Sequence, residues 1–100
     1  MISAAETKAE VTKLLKADFP KAAISRVGIE ETIDADGQPS MNILIVFKTR
    51  PPKHDMRYAR SNVVDKFRTW LSGKGDDRFP YFSFITEKDE RELSSQARHA

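Results

Sequence analysis

The sequence predicts a single α+β domain with the element order α-β-β-α-β, in which a three-stranded mixed sheet carries two helices on one face. Three observations predict it: apolar residues recur at helical spacing in two long segments, they alternate in three short segments, and turn-forming residues separate these segments. A length of 100 residues suits one domain. No Cys is present, so a disulfide framework, a thiolate metal site and a cysteine nucleophile are excluded.

The first helix is predicted over residues 4–18. Ser3 and Glu6 fit a capping box, in which the two side chains satisfy backbone N–H groups left open at the start of a helix. Pro20 ends the helix, because proline disfavours helical geometry in the residue before it. The buried stripe then comprises Thr7, Val11, Leu14, Leu15 and Phe19.

Two strands joined by a turn are predicted next. The period changes to two over residues 23–33, where one face is apolar apart from Glu31. Residues 34–39 contain Asp, Gly and Pro in the pattern of a turn, so the two strands should form an antiparallel hairpin. The strand over residues 41–49 is apolar on both faces, as is typical of a central strand covered on both sides.

A second helix and a third strand complete the predicted sheet. Asp55 is a candidate N-cap, and Gly73 and Gly75 end the helix. The strand over residues 81–86 should return parallel to the second strand, because a strand–helix–strand unit makes a right-handed crossover. The buried stripe of this helix comprises Ala59, Val63, Phe67, Trp70 and Leu71.

The domain is predicted to occupy residues 1–86, and residues 87–100 form a polar C-terminal tail. Thr86 and Asp89 fit the capping pattern, so the tail can form a short helix. Leu93 and two alanines are its apolar residues, and we expect a helix that frays at the surface or docks through Leu93.

The sheet face away from the two helices is predicted to be an interaction surface. Leu44 and Val46 point to that face, and one choice of strand register places Phe82 and Phe84 beside them. An uncovered apolar area of this kind marks interaction sites on monomers. The sequence therefore predicts an interface for a homodimer or a partner protein. The alternative is that the tail and the stems of Arg and Lys side chains cover this face.

A basic segment offers a second kind of binding. Residues 48–68 contain seven Lys and Arg residues against two Asp residues. Lys53, Arg57 and Arg60 cluster around the start of the second helix, where open N–H groups and the helix dipole favour anions. These residues are candidate contacts for an anion or a nucleic acid, with Tyr58 as the aromatic residue that could stack on a base. The alternative is an ordinary solvated helix face.

No catalytic constellation is recognisable, so we expect neither enzymatic activity nor a cofactor. Asp34 and Asp36 have the spacing of metal-binding carboxylates, but an EF-hand aligned on Gly37 has Ile43 where its bidentate Glu belongs. A hairpin turn explains both aspartates. His54 and His99 lie 45 residues apart, and nothing in the sequence brings them together around a metal ion.

The hydropathy pattern predicts a soluble cytoplasmic protein without membrane contact. The longest unbroken apolar run is Ile43–Phe47, far short of the ~20 residues that a membrane span needs. The first residues include the acidic Glu6 and contain no apolar core of a signal peptide.

Residues 24–86 contain three segments that resemble a known family. They are Ile29–Gly37, the apolar strand Ile43–Phe47 and the Phe-Pro-x-Phe-Ser-Phe-Ile strand signature of residues 79–85. The chain resembles, in these segments, a family of small uncharacterised bacterial proteins of about this length. The resemblance implies an accessory or interaction protein, paired with a product encoded beside it in a toxin–antitoxin-like arrangement. It implies no catalytic residues.

Overall fold

A computed structural model describes the backbone of residues 2–99 and the side chains of residues 2–94. The three strands form one mixed sheet in the order β1-β2-β3, with β1 antiparallel and β3 parallel to the central β2. The predicted α+β class is confirmed, and the helix that the tail was expected to form is present. The elements in chain order are α1 (Ala4–Asp18), β1 (Ile24–Ile33), β2 (Pro39–Phe47), α2 (Lys53–Gly73), β3 (Phe79–Thr86) and α3 (Glu87–His99).

Helix α1 has the predicted bounds, and its start shows why. The Ser3 hydroxyl accepts a hydrogen bond from the Glu6 N–H at 3.1 Å, which satisfies one of the open donors of the first turn. At the other end, the Phe19 N–H donates to the Leu15 carbonyl before Pro20 stops the helix.

The turn between β1 and β2 is built by one aspartate. The Asp34 carboxylate accepts hydrogen bonds from the N–H groups of Asp36 and Gln38, each at 3.0 Å, and Gly37 takes a positive φ of 78°. The interpretation of the two aspartates as turn residues is confirmed. The Asp34 N–H also donates to the Gln38 carbonyl, so the turn closes there and strand pairing begins at Pro39, earlier than predicted.

The main core lies between one face of the sheet and the helices α1 and α2. Helix α1 contributes Val11 and Leu15 to it, and both are fully buried. The core members from α2 and from the sheet are likewise buried: Ala59, Val63, Phe67, Leu71, Val27, Met41, Ile43, Ile45 and Phe47. The expectation that both long helices cover one face of the sheet is therefore correct.

The strand register places Phe82 and Phe84 on this helix-covered face. Phe82 is aligned with Ile43 and Phe84 with Ile45, both of which belong to the core. The Phe82 ring meets the ring of Phe67 from α2 at a centroid distance of 5.5 Å. The predicted patch of Leu44, Val46, Phe82 and Phe84 is therefore wrong as a single surface, because side chains alternate along a strand and the register puts the two phenylalanines on the opposite face.

Helix α3 covers one end of the other sheet face. It packs against β2 and β3, and Val46 beneath it is 0% exposed although it lies outside the main core. Arg26, the neighbour of Val46 on β1, forms an ion pair with Glu90 of α3. Leu93 is 58% exposed, so α3 does not dock through Leu93. The part of the sheet that was expected to be open is thus covered by the tail at its Val46 end.

A reciprocal cap fixes the start of α3. The Thr86 N–H donates to the Asp89 carboxylate, and the Asp89 N–H donates to the Thr86 hydroxyl, both at 3.1 Å. These hydrogen bonds stabilise the ionised carboxylate and lower the pKa of Asp89. The capping box predicted at Thr86 and Asp89 is therefore present, and it turns the chain directly from β3 into α3.

Helix α2 begins two residues before the predicted N-cap. The Met56 N–H donates to the Pro52 carbonyl, so helical hydrogen bonding starts at Pro52 and Asp55 falls within the first turn. Pro52 has no side-chain acceptor, and no side chain caps the open N–H groups there. Asp55 as N-cap is thus a wrong prediction.

Within residues 2–99, no helix combines the length and apolar composition needed to cross a membrane.

A buried ion pair joins the α2–β3 connection to the rest of the molecule. Arg78 donates to the Asp76 carboxylate, with the shortest contact from Nη2 at 2.6 Å, and their side chains are only 4% and 1% exposed. The Ile2 N–H donates to Asp76, and the Ile2 carbonyl accepts from Arg78. Arg78 also donates to Glu31 of β1 at 3.0 Å, which explains the charged residue on the otherwise apolar β1 face.

The Arg78 hydrogen bonds hold the pKa of the Asp76 carboxyl at about 2, below its ordinary value of 3.8, and the nearby carboxylates raise the pKa of Arg78. Both groups therefore stay charged at neutral pH. Every polar side-chain atom that is buried among the described residues has a hydrogen-bond partner, as burial of charge requires.

Arg78→Ala should lower the free energy of unfolding by about 3–5 kcal/mol, because it leaves the Asp76 carboxylate buried without a cation. Urea unfolding followed by circular dichroism measures this loss. Arg50→Ala is the matched control: Arg50 pairs with Asp89 at 3.2 Å, but the two side chains are 67% and 33% exposed, so its loss should cost less than about 1 kcal/mol. Equal losses in the two variants would contradict the central role of the buried pair.

Acid should weaken the fold through Asp76. Its folded-state pKa lies below the unfolded value, so its contribution of about 2 kcal/mol is present above pH ~4 and is lost as the pH falls toward ~2. The free energy of unfolding, measured in urea at several pH values between 5 and 2, should fall less steeply for Asp76→Asn than for the unsubstituted protein. Parallel curves for the two proteins would exclude this assignment.

Candidate functional site

The first turns of α2 form a basic surface. The chain leaves the central strand β2, passes through a segment in which Pro51 is buried, and enters the helix at Lys53. The N-terminal half of α2 therefore lies at the end of the sheet away from the β1–β2 turn. Lys53, Arg57 and Arg60 are all exposed there. The three residues that the sequence predicted as anion contacts are thus brought together on one surface.

These three cations have no ionic partner among the side chains that the structure describes. Among the side chains of residues 2–94, no carboxylate lies within ion-pair distance of Lys53, Arg57 or Arg60. Other cations of the chain are paired, such as Arg50 with Asp89 and Lys66 with Asp18. The positive charge at the start of α2 is therefore available to an external anion.

Arginines continue along α2 beside the edge of the sheet. At 100° per residue, Arg57, Arg60 and Arg68 fall within an arc of about 80°, which borders the buried stripe of the helix and overlaps it at Arg60. We call these three residues the arginine stripe. The Arg60 guanidinium lies 5.5 Å from the ring centre of Phe84, and that of Arg68 lies 5.2 Å from the ring centre of Phe79. These cation–π contacts orient the two guanidinium groups along β3.

Two concave surfaces meet at an aromatic ridge on α2. Tyr58 is 61% exposed, and its ring lies 5.0 Å from that of His54 in an edge-on arrangement. On one side is a concavity of about 500 Å³ between the end of α1 and the start of α2, which includes Lys21 and Asn62. On the other side is an open concavity of about 660 Å³ lined by Lys53, His54, Met56, Arg57, Tyr58, Arg60 and Ser61. The ridge thus presents rings to solvent next to unpaired cations.

The other predicted site residues do not form a common surface. Leu44 is half-buried, Val46 is covered by α3, and Phe82 and Phe84 belong to the helix-covered face. Whether any of these residues contacts a partner protein stays a prediction. Its basis is weakened, because two of the four side chains pack against the core of the protein itself.

The candidate metal ligands are also separated. Asp34 accepts hydrogen bonds within its turn, and His54 lies on α2 at the other end of the sheet. The side chain of His99 lies outside the described residues. In the part of the chain whose side chains are described, no group of three or more His, Asp or Glu residues could hold a metal ion.

Sequence reasoning counted Arg68 in the basic segment but did not group it with Arg57 and Arg60, and it did not predict the contact of His54 with Tyr58. Helical spacing contained the signal for Arg68, since it follows Arg57 by eleven residues, about 20° more than three full turns, and so returns to nearly the same face of the helix. The contact of Arg68 with Phe79 was not predictable, because it depends on where β3 begins relative to α2.

Comparison with known proteins identifies no relative: no protein-family model, curated protein or solved structure matches the chain. The resemblance to a bacterial family therefore stays a prediction. Function has to be inferred from the surface of α2.

Val46→Asp should destabilise the monomer by more than about 2 kcal/mol, because it puts a carboxylate in place of a fully buried apolar side chain, and the neighbouring Arg26 is already paired with Glu90. Leu44→Asp on the same strand should have a much smaller effect, since Leu44 is half-exposed. Thermal unfolding and native mass together separate a structural role from an interface role. If Val46→Asp left the unfolding temperature unchanged and altered only the native mass, Val46 would be an interface residue after all.

Proposed function

We propose that the protein binds single-stranded nucleic acid through the N-terminal half of α2. The observation that carries this proposal is the presence of three unpaired cations, Lys53, Arg57 and Arg60, around the exposed ring of Tyr58. Binding to a phosphate backbone gains free energy by releasing condensed counterions, and unpaired Lys and Arg side chains are the groups that release them.

The geometry suits successive phosphates of one strand. Arg57 and Arg60 lie one helical turn apart, and Arg guanidinium groups bind phosphate oxygens with two parallel hydrogen bonds. The first turn of α2 adds N–H groups that no side chain caps, together with the positive end of the helix dipole. The negative charge of Asp55 reduces the attraction for phosphate, but it is one carboxylate against several cations.

The aromatic ridge favours a single strand over a duplex. A base can stack on an exposed tyrosine only when it is not already stacked and paired in a double helix. The concavities on either side of His54 and Tyr58 leave room for the bases that flank the stacked one. Stacking is tolerant of sequence, so this surface should bind many sequences with similar affinity.

The other candidate function is the protein-interaction or accessory-subunit role, with a homodimer or a partner protein. The apolar patch from which it was inferred is divided between two faces and partly covered by α3. What supports the role now is the uncovered edge of the sheet along β3. That edge lies beside the nucleic-acid surface, and the two surfaces share Arg60, whose guanidinium lies against Phe84 of β3.

The decisive test is fluorescence anisotropy with a labelled single-stranded oligonucleotide of about 12 nucleotides, within the usual range of site sizes. We expect Arg57→Ala/Arg60→Ala to weaken binding at least tenfold. The slope of log K against log salt should become shallower by about 1.4, because each bound phosphate of a single strand contributes roughly 0.7 to it. Lys8→Ala/Lys13→Ala, which removes two exposed cations from α1, is the matched control and should change the affinity far less.

The stacking contribution is measured separately with Tyr58→Ala and Tyr58→Phe. Tyr58→Ala should weaken binding by about 1–3 kcal/mol, whereas Tyr58→Phe keeps the ring and should bind normally. Binding that is insensitive to salt, or that falls equally in the α1 control, would refute the proposed function.

A further inference from the structure

We infer that the free edge of β3 accepts an extended acidic segment of a partner protein as a fourth strand of the sheet, with carboxylates of that segment bound by Arg60 and Arg68. This inference goes beyond nucleic-acid binding and shares Arg60 with it. It adds the edge of the sheet and Arg68, which lies nearly three helical turns away from the aromatic ridge at Tyr58.

Apart from Pro80 near its start, the edge of β3 lacks the features that protect edge strands. β3 is the outermost strand, and within the described chain no strand pairs with its outer side. Residues 79–86 contain no charged side chain. The opposite edge strand, β1, has a register irregularity between Ile24 and Arg26 and carries the charged Glu30 and Glu31. Bulges and charges on an edge discourage strand addition, so β3 is the edge open to it.

The core is incomplete along the same edge. Phe82 and Phe84 pack against the buried cluster but remain only partly buried, and Phe79 is 43% exposed. Pro80 lacks an N–H group, and the Thr86 N–H donates to Asp89, so the stretch from Tyr81 to Ile85 is the part suited to a new ladder of hydrogen bonds. An added strand would cover the exposed sides of the aromatic rings.

The spacing of the two arginines defines the segment. Arg60 and Arg68 are eight residues apart on a helix, which corresponds to about 12 Å along its axis. Four residues of a β-strand span about 13 Å, and residues i and i+4 of a strand point to the same face. The segment should therefore carry Asp or Glu at positions i and i+4, with an apolar residue at i+2 to face the half-buried Val64.

Charge argues against a second copy of this chain at the edge. Pairing β3 with β3 of another copy would place two pairs of Arg60 and Arg68 along one junction, while neither β3 strand offers a carboxylate. Among the described side chains, Arg68, like Arg60, lies within ion-pair distance of no carboxylate. Both arginines are exposed and lie over aromatic rings of β3, so their charges are placed beside the edge and match an acidic strand.

The test uses a fluorescein-labelled peptide of about nine residues, rich in Val and Thr, with Glu at positions i and i+4 on one face. Anisotropy should show saturable binding. The double variant Arg60→Glu/Arg68→Glu should bind this peptide at least tenfold more weakly. A second peptide, with Lys in place of both Glu residues, should bind the double variant better than it binds the unsubstituted protein. Lys53→Glu/Arg57→Glu, which reverses two charges away from the edge, is the matched control and should keep most of the affinity. A peptide with Pro at the adjacent positions i+2 and i+3 should bind at least tenfold more weakly, since one of any two neighbouring residues of a strand directs its N–H toward β3 and proline has none.

Amide hydrogen exchange, measured on the unsubstituted protein with and without peptide, tests the same inference even if a charge-reversed variant fails to fold. The Glu peptide should slow amide exchange within Tyr81–Ile85 and leave β1 unaffected. Absence of peptide binding, protection of β1 instead of β3, or equal binding of the Pro peptide would overturn the inference. If protection of β3 rises with protein concentration in the absence of peptide, a second copy of the chain occupies the edge. If an oligonucleotide protects β3, the edge binds nucleic acid. Either result would also overturn the inference.

Discussion

The buried pair of Asp76 and Arg78 is the interaction on which the arrangement of this small protein depends. It lies in the connection between α2 and β3, and it reaches both Ile2 before α1 and Glu31 on β1. Segments from three distant parts of the sequence therefore meet at one cluster of charge. Because an unpaired buried charge is so unfavourable, the cluster tolerates few alternative arrangements of these segments. It fixes where α2 ends and where β3 joins the sheet.

Both candidate binding surfaces follow from that placement. The helix α2 uses one face for the core, through residues such as Val63 and Phe67, and the adjacent face for the arginine stripe. Since β3 enters the sheet directly beneath this helix, its aromatic rings lie close enough to hold Arg60 and Arg68. The same element thus stabilises the fold and displays charge. The two roles do not conflict, because they occupy neighbouring arcs of one helix.

The sequence was sufficient to predict features that depend on local spacing. Helix α1, the Asp34 turn, the cap at Thr86 and the neighbouring Arg57 and Arg60 were predictable, because capping, turn chemistry and helical period act over a few residues. The register of β3 was not. Its signature places aromatic rings on both faces, so the pattern could not distinguish the core face from the open one.

Features built from distant residues were also beyond sequence reasoning. Nothing near Asp76 and Arg78 indicates that they will be buried beside Ile2 and reach the exposed Glu31, because burial is decided by the packing of whole elements. The docking of α3 was hidden for a related reason. Its contacts with the sheet include charged side chains, Glu90 with Arg26 and Asp89 with Arg50, on a segment too polar to suggest packing.

Because α3 is attached mainly through polar contacts, the molecule has two parts that do not unfold together. The helices α1 and α2 share a continuous apolar core with the sheet, whereas α3 is tied down by its cap, by half-exposed ion pairs and by the contact over Val46. Exposed ion pairs contribute little free energy and are screened by salt. Helix α3 should consequently detach in a local opening that leaves the remaining fold intact, and its amides should exchange with solvent long before those of β2. In each such opening, the sheet face around Val46 becomes accessible for a short time.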